Sequence, residues 1–320
     1  MKNLNGIALG TFPFANVFSN VDEETASKIL KTFIENGGEF IHVSVAYNSG
    51  KVEEFLGKEL KKYDRNQFKI MACCGWTLRD GKYVLSGKAE HVKKCCDEVL
   101  KRLNLEYVDV LMSHAPDIST PYEETIDAMN ELLEEGKCKE LCVSNVSLEQ
   151  LKRYNYRGTV KYIQNRFSLI NQSISEEMYN YCKINDIKIT TYQSIERGLL
   201  TDRVIEGLKL NENDLRLKKP EFRDEIQEEI GLWAFKWLKP IANELNVSIL
   251  TLVIAWTLKN QNIFAVICGI SKEKYYIDYL NVNKINITNE ILGKINFAYN
   301  VLQEEIYNKY QKTIIEFLGI

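Results

Sequence analysis

Eight times along the chain a short apolar run gives way to a longer stretch with helical spacing of its apolar residues. The runs are "NGIALGTF", "EFIHVSV", "FKIMACC", "YVDVLMS", "KELCVS", "VKYIQN", "KITTYQ" and "FAVICG". Between them lie amphipathic stretches such as "VDEETASKILKTFIENGG", with acids in its first turn and Gly37-Gly38 as its stop. Others are "KVEEFLGKELKKY", "AEHVKKCCDEVLKRLN", "YEETIDAMNELLEEG", "SLEQLKRYN" and "SEEMYNYCKIND". After the seventh run comes a longer polar stretch around 197–225. Two helical segments follow it, and more close the chain after the eighth run. Strand-helix alternation of this regularity implies a parallel sheet, and eight units in 320 residues imply a single (β/α)8 TIM barrel with additional C-terminal helices, one domain over residues 1–320. A doubly wound open sheet is the alternative. It is disfavoured because no Gly-rich fingerprint follows the first strand.

In such a barrel, chemistry sits where the strands end at their C-termini. The residues there are His42 to Tyr47, Cys73, His114, Ser144-Asn145, Gln164, Tyr192 and Gly269. The chain has only three histidines, and two of them fall in this set. The third, His91, sits early in a helix.

Composition removes several function classes. Lys plus Arg is 41 and Asp plus Glu is 44, a net charge of −3 with no long run of one sign. Nucleic acid is therefore not an expected partner, since phosphate binding needs a clustered basic face. "LTLVIAWTL" is too short to span a bilayer, so no membrane partner is expected either. The start "MKNLNGIALGTF" lacks the basic beginning and long apolar core of a signal peptide. Eight cysteines include two adjacent pairs, Cys73-Cys74 and Cys95-Cys96, and no CxxC spacing. That pattern reads as reduced thiols in a cytoplasmic protein rather than a disulfide frame. Oligomeric state is not legible.

Seven segments in order and spacing resemble the aldo/keto reductase superfamily: "ALGTF", "AYNSGKVEEFLG", "VDVLMSHAPD", "VSNVSLEQL", "IQNRFSLIN", "TYQSIERGLLT" and "VICGISKEKYYIDYL". The resemblance implies a (β/α)8 barrel, a nicotinamide cofactor (NADP or NAD, with NADP the slight preference) and reduction of a small-molecule aldehyde or ketone. The family's chemistry uses an Asp, a Tyr, a Lys and a His. Tyr gives a proton to the carbonyl oxygen while hydride reaches the carbon; the Lys, paired with the Asp, lowers the pKa of that Tyr; the His orients the carbonyl. Tyr47 and His114 fall on matching positions. His42 stands at the Asp position and Cys73 at the Lys position. Losing both members of a buried ion pair together keeps a site tolerable, whereas losing one does not. A protonated His42 would do part of the missing Lys's work on Tyr47.

The resemblance further implies that Ser144, Asn145 and Gln164 hold the nicotinamide carboxamide, that Tyr192 stacks on its ring, and that Gly269, at the last strand end, also binds the cofactor. At the adenosine end Tyr275 and Tyr279 occupy places where the family often has Arg and Asn. Lys272 and Lys274 are nearby as cations for a 2′-phosphate.

Blander readings stand beside these. His42 would fill space left by an Asp, Cys73 would be an inert packed thiol, and Tyr47 and His114 would be loop residues. One Cys with two His also suits zinc with an open fourth site, but no spacing requires it, and no metal is expected. Three functions remain open at this point. They are a reductase with a modified proton-transfer site, a non-redox acid/base enzyme (lyase, dehydratase or epimerase) on the same barrel, and a non-catalytic ligand-binding barrel.

Overall fold

The computed structural model describes residues 4–15, 21–207, 209–210, 212, 214–219, 222–260 and 262–307. Ten strands occur among them: β1 (Ile7–Gly10), β2 (Phe40–Val43), β3 (Lys69–Cys74), β4 (Trp76–Arg79), β5 (Lys82–Leu85), β6 (Val108–Ser113), β7 (Cys138–Ser144), β8 (Val160–Arg166), β9 (Lys188–Tyr192) and β10 (Ile263–Gly269). Eight close into a barrel in the order β1-β10-β9-β8-β7-β6-β3-β2, every pair parallel. The chain thus folds as the (β/α)8 barrel expected from its alternation. β3 and β6 are buried almost throughout, as strands covered on both faces must be.

The chain divides into two compact units, the described residues of Met1–Arg166, Ile174–Tyr192 and Gln261–Glu273, and those of Phe167–Ser173, Gln193–Asn260 and Lys274–Ile320. The first holds all ten strands and helices α1 (Glu23–Glu35), α2 (Lys51–Glu59), α3 (Ala89–Leu103), α4 (Tyr122–Glu134), α5 (Leu148–Tyr154) and α6 (Glu176–Ile184). Their starts are set locally. Asp22 accepts the Thr25 amide at 2.8 Å to cap α1, and Ser147 and Gln150 cap α5 reciprocally. Such caps are worth about 1 kcal/mol each.

The second unit holds α7 (Asp202–Ile205), α8 (Asp224–Trp233), α9 (Lys239–Glu244), α10 (Ile249–Lys259), α11 (Tyr276–Asn281) and α12 (Asn289–Leu302). α10 is buried from Ile249 to Thr257, and the Trp256 ring stacks on Phe167 at 5.7 Å. The Trp233 indole donates to the Ala298 carbonyl at 2.8 Å and ties α8 to α12. Among the described residues no single helix is long and apolar enough to cross a membrane.

Period-2 alternation decides what fills the barrel. Met71, Cys73, Val110, Met112, Cys142 and Tyr162 pack together as an interior cluster, with Phe40 and Ile267 against it. The next position on the same face of each strand is His42, His114, Ser144, Gln164 or Gly269. The candidate site is therefore the uppermost interior layer of the barrel.

β4 and β5 form a separate antiparallel hairpin directly after β3, with Arg79 opposite Lys82. Its tip, Asp80-Gly81, has φ of 48° and 74°. Two successive positive φ values mark the turn that Asp-Gly favours between twisted strands.

Candidate active site

The strand ends bring His42, Tyr47, Cys73 and His114 together. Register puts His42 opposite Met71, and Cys73 opposite Met112, two residues before His114. The His42 ring bridges two of its neighbours. Nδ1 lies 3.2 Å from the Tyr47 hydroxyl, and Nε2 lies 3.4 Å from Cys73 Sγ. His42 and Cys73 are 3 % and 2 % exposed, so the imidazole and thiol are shielded from water, while Tyr47 at the outer end is only partly buried. Phe12 packs edge-on to the Tyr47 ring at 5.1 Å. His114 Nδ1 lies 3.2 Å from the hydroxyl of Ser44, a residue inside the strand-end stretch His42 to Tyr47 to which no role had been given. Among the described residues no group of three His, Cys, Asp or Glu side chains could hold a metal ion.

The electrostatics follow from burial. Desolvation, with a smaller push from His114, lowers His42 to about 3. Desolvation lowers His114 to about 4. The same cause raises Tyr47 well above the ordinary phenol value, with Cys73 and Tyr192 adding to it. It also raises Cys73, against a hydrogen bond from Ser44. All four groups are thus neutral at pH 7. This corrects the expectation that a protonated His42 would acidify Tyr47. A cation in this layer would lose its hydration without gaining a carboxylate.

A neutral imidazole has one donor and one acceptor nitrogen. The chain therefore has two hydrogen-bond arrangements. In one, Tyr47 donates to Nδ1 and Nε2–H donates to sulfur. In the other, Cys73 S–H donates to Nε2 and Nδ1–H donates to the Tyr47 oxygen. Only the second leaves the Tyr47 proton free for another acceptor.

The depressed histidines also have a consequence for stability. As pH falls below 6.5 the unfolded chain binds these protons first, so the contribution is complete above 6.5 and is lost toward pH 4 and 3. Thermal unfolding should be flat from about pH 8 to 7 and fall from about pH 6 to 4, by at most ~1.4 kcal/mol per pH unit for each histidine. The double variant His42→Asn with His114→Gln should lose that part of the slope. An unchanged slope in the variant would show that neither histidine is held neutral.

A second cluster lies beside the first. Ser144 donates to the Gln164 carbonyl at 2.9 Å. Asn145, at φ 58°, donates to the carbonyl of His114 at 3.0 Å and to Ser144 Oγ at 3.1 Å. Tyr192 donates to Asn145 Oδ1 at 2.6 Å, which fixes its ring at the rim. Gln164 is 4 % exposed, and its Oε1 has no hydrogen-bond partner. A buried amide oxygen left without a donor costs about 1–3 kcal/mol, and a ligand with an N–H group relieves it. A nicotinamide carboxamide is such a ligand, so these residues fit the expected cofactor. Gly269 is exposed at the end of β10, where a Cβ would come within 3.0 Å of Pro13.

In the first unit, Lys272, expected at an adenosine end, is exposed just beyond β10. In the second, Lys274 is exposed with its ammonium 5.3 Å from the Tyr275 ring centre, and Tyr279 is 2 % exposed.

Fold and site together define a (β/α)8 barrel whose mouth carries a phenol–imidazole–thiol chain beside a cluster of hydroxyl and amide side chains. The model of the aldo/keto reductase family matches residues 6–300, and the chain belongs to that family. The aldo-keto reductase YhdN of Bacillus subtilis (strain 168) is 31 % identical over 257 residues, covering 79 % of this chain and 77 % of that protein. The NADH-specific methylglyoxal reductase of Escherichia coli (strain K12) is 26 % identical over 265 residues, covering 79 % and 80 %. Among solved structures, the glycerol dehydrogenase AKR11B4 from Gluconobacter oxydans shares the fold, with a TM-score of 0.84 at 22 % identity over 95 % of this chain and 93 % of that one. The protein is an NAD(P)-dependent oxidoreductase of this family.

Proposed function

We propose that this barrel interconverts a small carbonyl compound and its alcohol with Tyr47 as proton donor, in a site where the neutral chain Tyr47–His42–Cys73 replaces an ion pair. The bridging of both His42 nitrogens carries this reading. Bound NAD(P)H supplies the hydride. Ser144, Asn145 and Gln164 hold the carboxamide, Tyr192 offers the ring a face, and His114, steadied by Ser44, orients the carbonyl oxygen toward Tyr47. Exposed Lys272, just beyond β10, favours NADP over NAD through a 2′-phosphate. The setting is cytoplasmic, with neither nucleic acid nor a membrane as partner.

Proton delivery follows from the tautomer. With Cys73 S–H on Nε2, His42 presents Nδ1–H to the Tyr47 oxygen, and Tyr47 gives its own proton to the substrate oxygen as hydride reaches the carbon. The phenolate left behind is stabilised by the same Nδ1–H. Water must return that proton before the next turnover. No ammonium acidifies the phenol, so turnover is slower than in a site that has one.

NADPH and NADH titrated into the protein should each quench tryptophan fluorescence saturably, NADPH at the lower concentration. Gln164→Leu should raise the Kd about 5- to 150-fold, the loss of one buried hydrogen bond to a ligand. No quench by either nucleotide at millimolar concentration would overturn the cofactor reading.

A further inference from the structure

The residues that follow Tyr47 adopt a conformation that needs outside support. Asn48, Ser49 and Gly50 have φ of 53°, 55° and 86°. Side-chain-bearing residues rarely enter this region, and they persist there only where the surroundings over-determine them. Two elements from elsewhere in the first unit hold the turn. On one side, the hydroxyl of Tyr83, on β5, accepts the Ser49 amide at 3.1 Å, lies 3.2 Å from Ser49 Oγ, and lies 3.4 Å from the Ala46 carbonyl. One phenol has one donor and two acceptor sites, enough to serve both ends of the turn. On the other side, a Cβ on Gly50 would lie 2.8 Å from Arg102 Cδ, so the chain passes directly over that side chain. Arg102 is itself fixed by the buried carboxylate of Glu53 and by Glu98 at 3.7 Å.

The hairpin that carries Tyr83 is a two-stranded ribbon, and such ribbons are marginal on their own. Tyr83 is 42 % exposed. The ribbon's root is Gly75, at φ 99°, two residues after Cys73, with the Ser86 amide returning to the Gly75 carbonyl at 3.0 Å. One short element thus begins at the thiol end of the Tyr47–His42–Cys73 chain and grips the turn at its phenol end.

We propose that Tyr83 is a positioning residue for Tyr47: the β4–β5 hairpin braces the left-handed turn Asn48–Gly50 and so sets the Tyr47 hydroxyl against His42 and the substrate. The inference rests on the reading of Tyr47 as proton donor. A misplacement of about 1 Å at a reacting group costs on the order of 10²-fold in rate.

Tyr83→Phe keeps the ring and removes the brace. The expected result is a 10- to 100-fold fall in kcat for nicotinamide-dependent carbonyl reduction, an unchanged Kd for NADPH, and faster hydrogen exchange at the Ser49 amide than in wild type, with β2 and β3 amides unaffected. In a Tyr47→Phe background, Tyr83→Phe should cost nothing further, because the group it positions is gone. Ser49→Ala, which keeps the backbone donor, should show a smaller loss. Wild-type kcat in Tyr83→Phe, or a loss that multiplies with that of Tyr47→Phe, would overturn the brace and leave the role of Tyr47 intact. Wild-type turnover in Tyr47→Phe would instead remove Tyr47 as donor. Unchanged Ser49 exchange in Tyr83→Phe overturns the brace whatever the activity.

Discussion

Tyr47→Phe should lower carbonyl turnover about 10²- to 10⁴-fold, the usual worth of a positioned general acid. Cofactor affinity should stay within a factor of about two, because the carboxamide cluster of Ser144, Asn145, Gln164 and Tyr192 is bonded within itself and to the His114 backbone rather than to Tyr47. Stability should change little. The hydroxyl bonds to a neutral ring nitrogen of His42, and the phenyl ring keeps its edge-on packing against Phe12. A stopped-flow measurement of NADPH oxidation separates the outcomes. Loss confined to kcat supports proton donation at the reacting oxygen. A rise in KM with kcat intact would make Tyr47 a substrate-binding residue only.

The second large effect concerns the exchanged pair. Cys73→Lys alone puts an ammonium into a position that is 2 % exposed, beside a histidine held neutral by burial and the hydroxyl of Ser44, with no carboxylate to pair it. His42→Asp alone puts a carboxylate at a position 3 % exposed, beside a phenol and a thiol. Each single change should cost about 3–5 kcal/mol, the range for a buried charge without its partner. Together they rebuild the Asp–Lys pair that the family uses, so the double variant should be more stable than the sum of the singles by about 0.5–3 kcal/mol. It should also reduce carbonyls faster than wild type, since an ammonium beside Tyr47 lowers a phenol pKa that burial now holds up. Denaturant unfolding of the four proteins measures the coupling. Additive losses with no gain in activity would mean that His42 and Cys73 are more than an exchanged pair, and that the neutral chain has a chemistry which the swap destroys.

Much of this was legible in the sequence, for identifiable reasons. Barrel strands covered on both faces read as short apolar runs, which is why "FKIMACC" and "YVDVLMS" stand out and why the eight units could be counted. Polar residues in or just after such runs break the apolar pattern, and His42, His114 and Gln164 stand out for that reason. The family motifs then favoured the redox reading over the non-redox and ligand-binding ones.

Other features depend on proximity in space. Ser44 lies inside the strand-end stretch His42 to Tyr47, but its meeting with His114 across 70 residues has no mark in the sequence. The neutrality of His42 is a property of burial, which composition does not reveal. The β4–β5 hairpin left a clear trace, an Asp-Gly pair inside "WTLRDGKYVL", and it was passed over because the eight-unit pattern has no place for an extra ribbon. That ribbon carries Tyr83, whose hydroxyl meets Ser49 and Ala46 on either side of the turn after Tyr47.

The pH dependence of kcat for NAD(P)H-linked carbonyl reduction tests the central claim most directly. A chain of neutral groups, with His42 near 3, His114 near 4 and Tyr47 raised above its ordinary value, predicts a plateau from about pH 5 to 9. An ionisation between pH 6 and 8 that disappears in His42→Asn would contradict it, because His42 would then work as a cation and the site as a charged pair.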